Sequence, residues 1–87
     1  MKVHLELFTA NICSSCADAK NLLSRAIEDI ADDRLTLDYL DVVENLDHAV
    51  KSGVLATPAL VLNGKLVFCP LPKRGKILQF LKTELNK

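Results

Sequence analysis

The spacing of the apolar residues changes repeatedly along these 87 residues, and this feature most limits how the chain can fold. Apolar and polar residues alternate over residues 2–8, which predicts a strand, whereas apolar residues recur at helical spacing over about residues 14–31. The same two patterns predict further strands over 35–41, 59–62 and 65–68, and further helices over about 44–52 and 73–85. The predicted order of elements is therefore β-α-β-α-β-β-α.

The connections between these elements predict how the strands pair. A helix joins the first two strands, so we expect them to be parallel, with a right-handed crossover. Asn63-Gly64 lies between two apolar runs, which is a strong hairpin signal, so we expect the last two strands to be antiparallel. We therefore predict an α/β fold, a four-stranded mixed sheet flanked by three helices, forming a single domain over residues 1–87.

The apolar spacing also predicts which side chains are buried. On the first strand Val3, Leu5 and Leu7 should face one way and His4 and Glu6 the other. The helix residues expected to face inward are Ala19, Leu22, Leu23, Ala26, Ile27 and Ile30, then Leu46, Ala49 and Val50, and finally Ile77, Leu78, Leu81 and Leu85. Gly53 follows the second helix, where a left-handed terminating residue is typical.

Composition narrows the class of protein. Eleven basic residues balance eleven acidic ones, which argues against nucleic acid as a partner. The first residues lack the apolar run of a signal peptide, and no stretch approaches the ~20 apolar residues that span a bilayer, so we expect a cytoplasmic protein with no membrane partner. Three cysteines do not suit a disulfide scaffold, and in a reducing compartment a cysteine pair is more typical of catalysis or metal binding.

The candidate active site is Cys13-Ser14-Ser15-Cys16, between the first strand and the first long helix. At a helix start, unpaired N–H groups and the positive end of the helix dipole favour a thiolate, and cysteines in such settings have pKa values lowered from ~8.5 to ~3.5–7.5. We therefore expect Cys13 to be the nucleophile. Cys16, predicted one turn into the helix, should be more buried and should resolve a mixed disulfide by attacking Cys13.

Other interpretations of the cysteines remain open at this point. The pair can bind metal, but tetrahedral zinc needs four ligands, and Cys69 with His4 or His48 can complete a site only if the fold brings them together. An iron–sulfur cluster shared between protomers is a further possibility, as is an interaction domain with vestigial cysteines. Both histidines are expected at the surface. Cys69 either packs in the core or lies near Cys13.

A second motif precedes the third strand. Thr57-Pro58 is consistent with a proline at the first residue of a strand. Together with the leading Leu7-Phe8-Thr9, the cysteine motif and the run Ala56-Thr57-Pro58-Ala59-Leu60-Val61-Leu62-Asn63-Gly64, it gives the chain its strongest similarity. The chain resembles the thioredoxin/glutaredoxin family over nearly its whole length, especially the short glutaredoxin-like thioredoxins of archaea and bacteria.

The resemblance implies a thioredoxin-like fold and a protein-disulfide reductase that uses a reversible Cys13–Cys16 disulfide. It also implies that Pro58 follows a cis peptide bond and faces the disulfide, and that the Thr57 backbone offers an edge to the substrate. The residues expected to bind substrate are Ser14, Ser15, Thr57 and Pro58. The implied partners are a disulfide-containing protein and a reductant, either a flavin-dependent reductase or glutathione. No cofactor or metal is implied, and nothing requires more than a monomer.

Three positions depart from the family pattern. Ser14-Ser15 is neither the Gly-Pro usual in thioredoxins nor the Pro-aromatic pair usual in glutaredoxins, so the redox potential is not implied. Leu7 stands where thioredoxins carry a buried acid that accepts the proton of the resolving thiol. Residues 69–73 lack the paired glycines of glutathione-binding glutaredoxins, which argues against glutathione as the favoured partner.

Overall fold

The computed structural model describes residues 2–87, and its elements follow the predicted order. The strands are β1 (Val3–Thr9), β2 (Leu35–Asp41), β3 (Ala59–Leu62) and β4 (Lys65–Phe68). The helices are α1 (Cys16–Ile30), α2 (Leu46–Ser52) and α3 (Arg74–Leu85). The strands form one four-stranded mixed sheet in the order β2-β1-β3-β4, so the predicted fold class is confirmed.

Strand β1 lies inside the sheet and pairs on both sides. Its partner β2 is parallel and matches it from Val3 opposite Leu35 to Thr9 opposite Asp41. Its other partner, β3, is antiparallel, and β3 in turn pairs antiparallel with β4. The parallel pair and the antiparallel hairpin are therefore confirmed, while the position of β3 next to β1 comes from the structure alone.

The hairpin between β3 and β4 depends on two residues with positive φ. Asn63 has φ 48° and Gly64 has φ 87°, the backbone that a two-residue hairpin turn requires. Asn63 also joins the turn to the central strand, because its N–H donates to the His4 carbonyl and its Oδ1 accepts from the His4 N–H, both at 2.9 Å. The turn thus fixes the register of β3 on β1.

Two apolar clusters cover the two faces of the sheet. On one face α1 and α3 pack over β1, and the buried residues include Leu5, Leu7, Leu23, Leu60, Ile77 and Leu81. On the other face α2 and the segment after it pack over β1 and β3, and the buried residues are Phe8, Ala49, Val54, Ala59 and Val61. At the end of α2, Gly53 has φ 91°, as predicted for a left-handed helix terminator.

The prediction for α2 was partly wrong. Of the three residues expected to face inward, Ala49 is fully buried, but Leu46 is 58% exposed and Val50 is 64% exposed. The helix also begins at Leu46, because the Asp41 carboxylate accepts the N–H groups of Val43 and Glu44, each at 3.0 Å, and holds the preceding residues in a turn. This short helix buries only the small side chains of Ala49 and Ser52, and it leaves Leu46 and Val50 in solvent.

Glu6, on the central strand β1, is an ionisable side chain that is buried. It is 8% exposed and faces the α2 side of the sheet, where His48 donates from Nε2 to the two carboxylate oxygens at 2.9 and 2.8 Å. His4 lies further away, with its Nε2 3.9 Å from the same carboxylate and 3.4 Å from Asp38. His48 is exposed, as expected, whereas His4 is half-buried, and both lie beside acids. Burial of Glu6 is tolerated because its oxygens are hydrogen-bonded.

Loss of the His48 side chain should destabilise the protein. In His48→Ala the Glu6 carboxylate stays buried without its hydrogen-bond donor, which should lower the free energy of unfolding by about 1–3 kcal/mol. Urea denaturation followed by circular dichroism measures the change. Val50→Ala on the same helix is the control, with an expected change within about 0.5 kcal/mol. Equal losses in the two variants would contradict the assigned role of His48.

The connection from α1 to β2 contains a well-formed ion pair. Arg34 donates from Nε and Nη2 to the Asp32 carboxylate at 3.0 and 2.7 Å, and its backbone N–H donates to the same group at 2.9 Å. The side-chain hydrogen bonds from Arg34, and then the backbone one, lower the pKa of Asp32 to about 2. Arg34 also donates from Nη1 to the Leu85 carbonyl at 3.1 Å, so this turn is joined to the end of α3.

The ion pair between Asp32 and Arg34 should make the free energy of unfolding depend on pH. Because the pKa of Asp32 is lower in the folded state, the pair stabilises the fold above the unfolded-state pKa, near ~4, and this contribution is lost as pH falls to about 2. Wild type should therefore exceed Asp32→Asn in unfolding free energy at pH 7, and the difference should shrink between pH ~4 and ~2. Urea titrations at each pH measure it. With Asp33→Asn as control, no comparable change in the difference should occur.

Candidate active site

The two motif cysteines form a disulfide where β1 gives way to α1, with their Cα atoms 5.4 Å apart. Ser14 and Ser15 lie in a turn closed by a hydrogen bond from the Cys16 N–H to the Cys13 carbonyl at 3.4 Å. The helical ladder starts when the Ala19 N–H donates to the Ser15 carbonyl at 3.0 Å. Cys16 is therefore the first residue of α1 and not, as predicted, one turn inside it, because the two serines make the turn.

The two sulfur-bearing residues differ in access to solvent. Cys16 is 5% exposed and belongs to the buried face of α1, whereas Cys13 is half-buried and precedes the helix. The unpaired N–H groups of the first helical turn give this end of α1 a partial positive charge. The expected asymmetry, with an accessible Cys13 and a buried Cys16, is therefore present.

The Thr57-Pro58 segment lies beside the cysteine motif. The peptide bond between these residues is cis, as the resemblance implied, and Pro58 is buried directly before β3. Pro58 and Ser15 line one groove, so the start of β3 and the cysteine turn meet at the same surface. Of the predicted substrate-binding residues, Ser14 is exposed and Thr57 is half-buried. Ile12, 98% exposed, and Leu55, 96% exposed, precede the two segments.

The groove has a volume of about 140 Å³ and includes residues that sequence reasoning did not single out. Its lining residues are Ser15, Asp18, Ala19, Leu22, Pro58, Pro70 and Leu71. Asp18 carries the only charge among them. The helical spacing of residues 15, 18, 19 and 22 signals a shared helix face, but the contribution of residues 70 and 71 depends on how the chain returns after β4.

Cys69 lies at the end of β4 and is an exposed free thiol, so the expectation that it packs in the core was wrong. Its Sγ donates to the Ala56 carbonyl at 3.5 Å, next to the Thr57-Pro58 segment. Within residues 2–87, no group of three or more histidine, cysteine or acidic side chains is arranged to hold a metal ion. The donor set that a zinc site needs is thus not assembled in the described part of the chain.

A disulfide that closes the first turn of a helix, with one accessible and one buried cysteine, suits reversible thiol–disulfide exchange. The strand order of the sheet and the cis-proline segment beside the cysteines are those of a thioredoxin-like fold. The class of protein is accordingly a thiol–disulfide oxidoreductase with a thioredoxin-like fold.

Comparison with known proteins agrees with this class. The family model described as a thioredoxin domain matches residues 1–82. The chain is 33% identical to the thioredoxin of Methanocaldococcus jannaschii over 87 residues, covering 97% of this chain and 98% of that protein. It is 26% identical to a probable thioredoxin of Methanothermobacter thermautotrophicus over 86 residues, covering 99% and 100% of the two chains. The chain belongs to the thioredoxin family.

Solved structures share the fold at lower sequence identity. Thioredoxin 1 of Thermosipho africanus superimposes with a TM-score of 0.75 at 15% identity, covering 95% of this chain and 94% of that one. A mutant thioredoxin of Halobacterium salinarum gives 0.75 at 22% identity, covering 94% and 74%. With the family and the Cys13–Cys16 disulfide, the protein is a dithiol electron carrier and disulfide reductase.

None of the helices in residues 2–87 has the length and apolar character needed to cross a membrane.

The difference in exposure predicts different alkylation rates. After reduction with dithiothreitol and its removal, Cys13 should react with iodoacetamide at least about tenfold faster than Cys16, because Cys13 is accessible at the positive end of the helix while Cys16 is buried. Time-resolved mass spectrometry of proteolytic fragments measures each site, and the exposed Cys69 reports the rate of an ordinary accessible thiol. Equal rates at Cys13 and Cys16 would contradict the assignment of Cys13 as the nucleophile.

Proposed function

We propose that this chain reduces the disulfides of proteins through Cys13 as nucleophile and Cys16 as resolving thiol. The observation that carries the proposal is the pairing of a half-buried Cys13 with a 5%-exposed Cys16 at the start of α1. An accessible sulfur can reach a disulfide in another molecule, while the buried one can reach only its neighbour. The whole of residues 1–87 acts as a single domain.

The exchange runs in two balanced steps. The Cys13 thiolate attacks one sulfur of the substrate disulfide, so a bond forms to Cys13, the substrate S–S bond breaks and the other substrate sulfur leaves as a thiolate. Cys16 then gives its proton to water, and its thiolate attacks Cys13. The mixed disulfide breaks, the second substrate thiolate leaves, and two electrons have passed to the substrate.

The second step proceeds without a carboxylate beneath Cys16. Leu7, at the position of the family's buried acid, is fully buried in the apolar cluster under α1. The next residue along the strand, Glu6, faces the opposite side of the sheet and is bonded to His48. The proton of Cys16 therefore passes to water, which should make release of the substrate slower than it would be with a carboxylate beneath the thiol.

Substrate contacts are assigned to the four residues around the sulfur pair. Ser14 and Ser15 form the turn between the cysteines, and Ser15 shares a groove with Pro58. The Thr57 backbone, directly before Pro58, offers an extended edge to a substrate chain, since an unpaired backbone segment can bind a peptide through main-chain hydrogen bonds. The reacting sulfur of Cys13 lies beside this edge in the proposed complex.

Regeneration requires a reductant that supplies two electrons. A flavin-dependent disulfide reductase is the reductant we favour, with glutathione as the alternative. The segment Cys69-Pro70-Leu71-Pro72-Lys73 supports this choice, since it lacks the glycine pair of the glutaredoxins that bind glutathione. We place the protein in the cytoplasm as a monomer, in a compartment whose reducing poise drives electrons toward substrate disulfides.

Two cysteine variants test the roles. With a peptide disulfide as substrate and no dithiothreitol present, pre-reduced Cys16→Ser should accumulate a mixed disulfide on Cys13, visible as an added peptide mass, because the resolving thiol is absent. Cys13→Ser should form no such adduct and should reduce the peptide at the background rate of dithiothreitol. Cys69→Ser is the control and should keep the wild-type rate. Wild-type turnover in Cys13→Ser would exclude the proposed mechanism.

A further inference from the structure

The groove beside the disulfide has the dimensions of a site for one side chain. Its volume is about 140 Å³, well below the ~300–1,000 Å³ of pockets that enclose whole small molecules. It runs from Ser15, in the turn between the cysteines, along α1 to Leu22, with Pro58 and the Pro70–Leu71 segment opposite. A substrate whose disulfide reaches Cys13 must therefore place a neighbouring residue at or near this groove.

The walls of the groove combine apolar surface with one acid. Ala19, Leu22, Pro58 and Leu71 present carbon to the groove, and Asp18 presents the only charged group. This composition distinguishes it from a uniformly apolar groove, because the carboxylate rejects an anionic side chain and attracts a cationic one.

The Asp18 carboxylate is free to bind a partner. Among residues 2–87, some acids are already held by basic partners in the fold: Asp29 pairs with Arg74, and Asp32 pairs with Arg34. No ion pair within these residues involves Asp18. Its position in the first turn of α1 is favourable for the helix dipole, but that role does not require it to face the groove.

A lysine or arginine side chain matches both features of the groove. Its methylene stem can pack on the proline and leucine surface, while the cationic head remains near solvent and meets the carboxylate. An uncharged side chain of the same length gains only the apolar contact. A glutamate brings a second negative charge against Asp18 and is disfavoured.

We propose that Asp18 determines substrate specificity, by selecting disulfides whose cysteine has a lysine or arginine as a sequence neighbour. The proposal rests on the proposed function of Cys13 and Cys16, and it adds the chemical class of substrate. Asp18 takes no part in bond making or breaking, so neutral substrates still react. The carboxylate changes which substrate is preferred.

The test uses peptide disulfides that differ at one residue, lysine, glutamine or glutamate, placed directly before or directly after the reacting cysteine. The measured quantity is kcat/KM for each peptide with dithiothreitol as reductant. It is divided by the second-order rate constant for reduction of the same peptide by dithiothreitol alone. For at least one of the two placements, wild type should prefer lysine over glutamine by roughly threefold and should disfavour glutamate by a similar factor. Added salt should reduce both preferences, because the groove is open to solvent.

Four variants separate this role from a structural one. Asp18→Asn should bring the three peptides of the preferred placement to nearly equal rates, and Asp18→Lys should reverse the order. Asp47→Asn is the matched control, since it removes an acid from the first turn of α2 on the other face of the sheet, and it should keep the wild-type preferences. Circular dichroism and thermal unfolding identify any variant that fails to fold, and in that case the charge-conserving Asp18→Glu should retain the preference for lysine.

The outcomes distinguish the two proposals. If wild type reduces the glutamine peptides but treats lysine and glutamate peptides alike in both placements, the specificity proposal is overturned and the proposed function stands. The same conclusion follows if Asp18→Asn keeps the wild-type preference. If wild type reduces none of the peptides above the dithiothreitol background, the proposed function itself fails.

Discussion

The hydrogen bonding of β1 on both of its edges is the constraint on which the rest of the structure depends. Seven residue pairs join it to β2, and its other edge pairs with β3, so its position in the sheet is fixed from two sides. Both faces of the strand are covered, which explains why Leu5, Leu7 and Phe8 are fully inaccessible. The cysteine turn follows the end of this strand after residues 10–12, so the position of Cys13 depends on where β1 ends.

Burial on both faces also explains the two unusual residues of the strand. At Leu7 the side chain faces α1 and α3 and completes an apolar cluster, which leaves Cys16 without an acid beneath it. At Glu6 the side chain faces α2, where His48 satisfies both carboxylate oxygens. The acid is thus present on the strand but on the wrong face to serve the thiol, because adjacent strand residues point to opposite sides. An acid in place of Leu7 would face the α1 side of the sheet, where Cys16 lies, whereas the acid at Glu6 faces His48 on the opposite side.

Local signals in the sequence predicted most of the fold. The strand and helix order, the parallel and antiparallel pairs, and the Asn63-Gly64 turn follow from periodicity and turn chemistry, which depend on residues close together in the chain. The predictions that were wrong depend on how elements distant in the chain pack together. Leu46 and Val50 were expected inside because of their apolar character, but this two-turn helix buries only the small side chains of Ala49 and Ser52. The burial of Glu6 depends on His48, forty-two positions away, which no local pattern reveals.

The site divides in the same way between local and distant parts. Both sulfurs, the turn between them and the helix start lie within a few residues, and this motif predicted the redox chemistry once Thr57-Pro58 and the family resemblance were added to it. The groove that adjoins them needs α1, the start of β3 and the return after β4, so Asp18 had no recognisable signal until Pro58 and Leu71 were seen opposite it. Substrate choice can therefore change through Asp18 or the residues after β4 while the cysteine turn, and the exchange it performs, stays the same.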